Sequence, residues 1–129
     1  DVGEPGPSLR VFMQTQHERY VVQRTWDAFM SEWDALLVPV IGLTAPVRGT
    51  QRVVNGRILT PHEVQSAYMP SRIAPTTGLP TVVMPLGRSQ EGLPFGVQLL
   101  GRRWQDMRLL AIAERVAEVA GGIVRPPGF

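Results

Sequence analysis

The chain has 129 residues, a net charge of +2, no cysteine and 13 basic residues, every one of them arginine. That length fits one domain with a modest core. Without cysteine there are no disulfides, thiol nucleophiles or cysteine zinc sites, which fits a reducing, cytoplasmic compartment. Arginine keeps its charge at every accessible pH, so a small excess sets a basic isoelectric point without a basic surface tract. The arginines stand singly apart from Arg102-Arg103 and have no interleaved aromatics, so no nucleic-acid partner is expected. No apolar run approaches the ~20 residues of a membrane helix, so no membrane partner is expected either.

Residues 1–7 hold two prolines and two glycines and read as a mobile lead-in. The chain opens without Met, which reads as a processed terminus or an artificial boundary. Residues 8–129 read as a single domain. Ser8 is a helix N-cap, and the pattern predicts a helix from Leu9 to about Trp33. Val22, Trp26, Phe29, Met30 and Trp33 recur at helical spacing and form its apolar stripe.

Ala35 to Val38, ending at Pro39, predicts a short strand whose lack of alternation implies burial on both faces. Residues 39–50 are expected to be loop. In Arg52 to Leu59, Asn55-Gly56 between β-formers predicts a hairpin with a type I′ turn, set apart as a small ribbon. Thr60 and Pro61 open a short helix reaching about Tyr68. Met69 to Pro80 reads as turn-rich. Thr81–Leu86 and Phe95–Leu100 predict a second hairpin, with Pro85 at an edge or bulge. Phe95, Val97 and Leu99 point one way along it, and Gly96, Gln98 and Leu100 the other. Asp106 is expected to cap a last helix, Met107 to Ala120, apolar around most of its circumference and therefore buried. Gly121-Gly122 ends it.

Chemistry-bearing clusters are absent from this pattern. His17 and His62 fall on separate elements, so neither a metal site nor a cofactor is expected. No serine sits in a GxSxG elbow. Ser71, in MPSRI, is the one hydroxyl to watch, and its alternative role is to bond a helix end. Acidic residues occur singly, which excludes a glycosidase carboxylate pair.

The pieces WDALLVPV, TQRVVNGR, TGLPTVVMPLG, EGLPFGVQLLG, LLAIAERV and GGIVRPPGF, in this order and spacing, give the chain a resemblance to a known family. From Trp33 to Phe129 it resembles the carboxyl-terminal part of amidase-signature enzymes, serine hydrolases that cleave carboxamides. The resemblance implies an α/β fold. A mixed β-sheet flanked by helices would form the C-terminal part of the larger α/β/α amidase-signature architecture. It also implies a Ser–cis-Ser–Lys triad whose lysine and Gly/Ser-rich nucleophile segment lie upstream. Residues 1–129 contain neither, so no catalytic residue is carried over and the chain alone is expected to be inactive. Its expected contribution is scaffold and acyl-pocket wall, from residues 39–46 and 68–77. Tyr68, Met69, Ile73 and Thr77 are the pocket candidates; their alternative role is core packing. Gly78, Gly92, Gly96 and Gly101 are expected to be structural.

The partners implied are the amino-terminal catalytic part of the same enzyme and a small amide substrate. The alternative is a stand-alone, non-catalytic interaction module of amidase ancestry. The first helix discriminates: a fragment leaves its Trp26/Trp33 stripe uncovered, with dimerisation through that apolar face as a consequence, whereas a module covers the stripe itself.

Overall fold

The computed structural model describes residues 6–121. Most of the expected lead-in, and GIVRPPGF at the other end, lie outside them. The elements run α1 (Leu9–Met30), β1 (Ala35–Pro39), β2 (Val53–Val54), β3 (Arg57–Ile58), α2 (Pro61–Ala67), α3 (Met69–Thr77), β4 (Thr81–Arg88), β5 (Pro94–Gly101) and α4 (Asp106–Ala120).

The core is a three-stranded sheet, ordered β1-β5-β4, with β5 in the centre. Leu36 pairs with Leu100 on one side of β5, and Thr81 pairs with Leu100 on the other. Both pairings are antiparallel, so the mixed character expected of the sheet is not among the described pairings. Helices flank both faces, as expected of the α/β class. Alternation along β5 assigns the faces. Val97 and Leu99 pack with Leu109 and Ala113 of α4. On the opposite face Gln98 bonds the start of α3, which in turn packs on α1. Each fully buried aliphatic, such as Leu100 or Leu109, contributes about 1.5–3 kcal/mol by leaving water.

Turn chemistry follows the sequence closely. Asn55 and Gly56 both take positive φ, 50° and 75°, as a type I′ turn requires, and β2–β3 forms a separate two-stranded ribbon. Thr60 caps α2 in a reciprocal capping box with Glu63. The β4–β5 register shifts between Pro85 and Gly87, which places the proline at a bulge on an edge strand. Gly121 ends α4 at φ 86°.

Five expectations need correction. The first helix stops at Met30, where a turn carries the chain through Trp33 towards β1. Residues 69–77 are helical, not turn-rich. Pro70 sits at the helix start, where its missing N–H costs nothing, and the end around Pro75 is held from outside. There Arg19 donates to Pro75 O and Thr76 O, and Arg103 donates to Thr77 O.

Leu37 of β1 is 52% exposed, because α4 covers β4 and β5 and stops short of this edge strand. α4 buries only Leu109 and Ala113, and Val119 is 91% exposed, so its apolar circumference is mostly uncovered. Its N-cap is Gln105, without a side-chain cap bond. Asp106 instead lies in the first turn, where its charge complements the helix dipole.

Candidate functional site

Three ties bring loop 40–46 against the α2–α3 junction. The Gly42 N–H donates to Ala67 O at 2.8 Å. Gln98, buried in the central strand, donates its amide to Pro70 O at 2.7 Å and lies 3.5 Å from Pro39 O. Arg52, just ahead of β2, donates through Nη1 to Thr44 O and through Nη2 to the Tyr68 hydroxyl, both at 2.8 Å. A buried amide pays a desolvation cost unless bonded, so Gln98 fixes the distance between the ends of β1 and α3.

These ties frame a cavity of about 330 Å³. Its walls include Ile41, Leu43, Pro46, Arg52, Tyr68 and Phe95. Gly96 forms part of its base, where a Cβ would stand 2.8 Å from the Met84 carbonyl oxygen, so only glycine lets β4 and β5 approach there. A second groove of about 400 Å³ runs along the outer side of the same loop to the β2–β3 ribbon. Arg52 borders both spaces.

Of the four pocket candidates, the cavity takes one. Tyr68 lines it, half-buried, at the hinge between α2 and α3. Met69 is exposed and Ile73 half-buried, and neither lines it. Thr77 is buried with its hydroxyl committed: it donates to Ile73 O at 2.7 Å and accepts from the Leu79 N–H at 3.3 Å. Sequence reasoning singles out both wall segments but misses Arg52 and Phe95. Arg52 lies within the recognised TQRVVNGR piece; its long reach to Tyr68, 16 residues on, has no local signal.

Ser71 donates to Tyr68 O at 2.7 Å and Ser31 to Ala28 O, so both serve helix ends. Among the described residues no group of His, Cys, Asp and Glu could hold a metal ion. No described helix is long and apolar enough to cross a membrane. Among the described residues the one strongly displaced carboxyl is structural: the Arg57 guanidinium and Thr60 hold Glu63 down at about 2, clamping β3 to the start of α2.

The chain is 34% identical over 97 residues to fatty acid amide hydrolase of Arabidopsis thaliana, covering 74% of this chain and 16% of that protein. Among solved structures it is similar to a glutamyl-tRNA(Gln) amidotransferase subunit from Thermotoga maritima. There the TM-score is 0.63 and the identity 28%, with 83% of this chain and 22% of that one covered. It is also similar to a chain of a vestigial protein complex described as revealing the origins of an s-triazine catabolic enzyme. That match has a TM-score of 0.69 at 26% identity and covers 92% of this chain and 26% of that one. The chain thus spans about a sixth to a quarter of the length of these proteins. The model of the family described as Amidase matches residues 7–110, and the chain belongs to that family.

Proposed function

We propose that this chain is the carboxyl-terminal portion of an amidase that hydrolyses carboxamide C–N bonds, with a Ser–cis-Ser–Lys triad supplied upstream. One observation carries the reading: a chain that belongs to the amidase family over residues 7–110 has no lysine anywhere in its 129 residues. The expected reaction is attack of an upstream serine on the amide carbonyl, with its proton passed on to the lysine as ultimate base. The C–N bond then breaks as the amine takes a proton, and water releases the acid from the acyl-enzyme. This stretch contributes no group to those steps. Its part is scaffold together with the wall of the acyl pocket, for which Tyr68 and loop 40–46 are the candidates. Met69, Ile73 and Thr77, on the helix that follows, are the further pocket candidates. The partners are the amino-terminal part of the same enzyme and a small amide, with no nucleic acid and no metal or cofactor.

The test has two arms. The 129-residue chain is offered a simple anilide, and the native polypeptide that carries it, sized first by intact mass, is offered the same anilide. Turnover by a product much larger than 14.3 kDa, with none by the chain, is the expected result. Turnover by the 129 residues alone, abolished by Ser71→Ala, would overturn the reading. A native product of this size without turnover would make the chain a free-standing interaction module.

A further inference from the structure

The arginines that are not solvent-exposed among the described residues are Arg52, Arg102 and Arg103. Arg103 faces Asp27 at 3.2 Å and Arg102 lies 3.9 Å from Asp34. Arg52 differs: its described partners are a carbonyl and a phenol, both neutral. Two of its five N–H donors are taken, which leaves part of the planar fork free. It borders the cavity, whose other walls are mostly aliphatic and aromatic. Glu91 lines the outer groove but not the cavity, and it forms no ion pair with Arg52 among the described residues. A half-buried guanidinium without a counter-charge among the described residues, at the wall of a small and largely apolar space, attracts an anion. Its geometry suits a carboxylate best, because the two can share parallel hydrogen bonds.

We infer that this cavity selects acyl groups carrying a second carboxylate, with Arg52 as the specificity-determining residue. The ligand class is the half-amide of a short dicarboxylic acid: the far carboxylate meets Arg52 while the methylenes lie against Leu43, Tyr68 and Phe95. The inference rests on the acyl-pocket reading above, but its test does not depend on turnover. Tyr68 has a secondary part. Its hydroxyl accepts from Arg52 Nη2 and so competes mildly with the carboxylate for that donor, while Nη1 stays anchored to Thr44 O.

The experiment measures binding of glutarate, against the neutral glutaramide, to the native polypeptide carrying this chain, by calorimetry at low and moderate salt. Glutarate is expected to bind at least tenfold more tightly than glutaramide. Arg52→Gln should erase that difference, and Arg48→Gln, an exposed arginine on the neighbouring loop, should leave it intact. Because Arg52→Gln also releases Thr44 and Tyr68, Tyr68→Phe provides the second variant. If Arg52 merely braced the wall, Tyr68→Phe would weaken glutarate along with Arg52→Gln. If it recognises the carboxylate, Tyr68→Phe should retain or improve binding. Equal binding of the two probes, or a preference that survives Arg52→Gln, overturns the inference. The amidase reading fails separately, through absence of amide turnover in a protein that still binds glutarate.

Discussion

Gly101 and Leu109 meet where α4 docks on the sheet, and the contact can be taken apart with two substitutions. A Cβ on Gly101 would lie 3.1 Å from Leu109 Cβ and Cδ2 and 3.2 Å from Cδ1. Those distances are tighter than ordinary carbon contacts but short of an outright clash, so Gly101→Ala should cost about 1–2 kcal/mol through overpacking. Leu109 is 2% exposed, so Leu109→Ala should cost about 3 kcal/mol in transfer and cavity terms.

The double variant carries the information. Without the two Cδ atoms, the methyl introduced by Gly101→Ala occupies part of the vacated space. The double variant should therefore be about 1 kcal/mol more stable than the sum of the single changes predicts. With a urea slope of about 1–2 kcal/mol/M, that coupling moves the unfolding midpoint by ~0.5–1 M, well within reach of circular dichroism. Additivity within ~0.5 kcal/mol would mean that the two residues do not share one space, and the docking of α4 on β5 would be wrong.

Glu63 should titrate at about 2 by carbon NMR, against an ordinary 4.5. Because its folded value is depressed, the clamp on α2 is fully present above about 4.5 and is lost as pH falls towards 2; Arg57→Gln should move the midpoint back up. Arg103→Met removes bonds to Asp27, Thr77 O and Gly78 O, and should destabilise by about 2 kcal/mol while speeding amide exchange around residues 76–79. Unchanged exchange there would show that Arg103 does not hold the end of α3. Trp104 is 88% exposed and sits at φ 65°, a conformation that costs a bulky residue about 1–2 kcal/mol. Net of the chain entropy that glycine adds to the unfolded state, Trp104→Gly should raise stability by about 0.5–1 kcal/mol in urea unfolding. A loss of stability would assign the indole a packing role that its exposure denies.

What is legible in the sequence is local chemistry. Ser8, the Asn55-Gly56 turn, the Thr60–Glu63 box and Gly121 each decide the backbone within a few residues of themselves, and each stands where its side chain or missing Cβ implies. Expectation and structure part where distant groups decide. Pro70 and Pro75 hide α3, because its carbonyls are satisfied by Arg19 and Arg103, which are far away in sequence. The site divides in the same way. Loop 40–46 and Tyr68 are marked by resemblance, whereas Arg52, which ties them together, can be found only once the chain is folded.

The uncovered helix faces share a cause. α4 and the stripe of α1 are apolar, and apolarity implies burial only where something lies within reach to cover it. The described residues cover the α1 stripe in part, burying Met30 and half-burying Trp26, and leave much of α4 bare. Trp33 remains 53% exposed beyond α1, beside Phe29, while Leu110 and Val119 are uncovered on α4. These surfaces belong to opposite layers of the sheet. A twofold dimer contact uses one self-complementary patch, so pairing through α1 would leave α4 wet, and pairing through α4 would leave the aromatics of α1 wet. Covering both requires polypeptide on both sides. A chain spanning a sixth to a quarter of the length of its relatives leaves ample sequence for that in an amidase of their size. The exposed parts of these faces thus favour a portion of a longer chain over a free-standing module on grounds independent of the missing lysine.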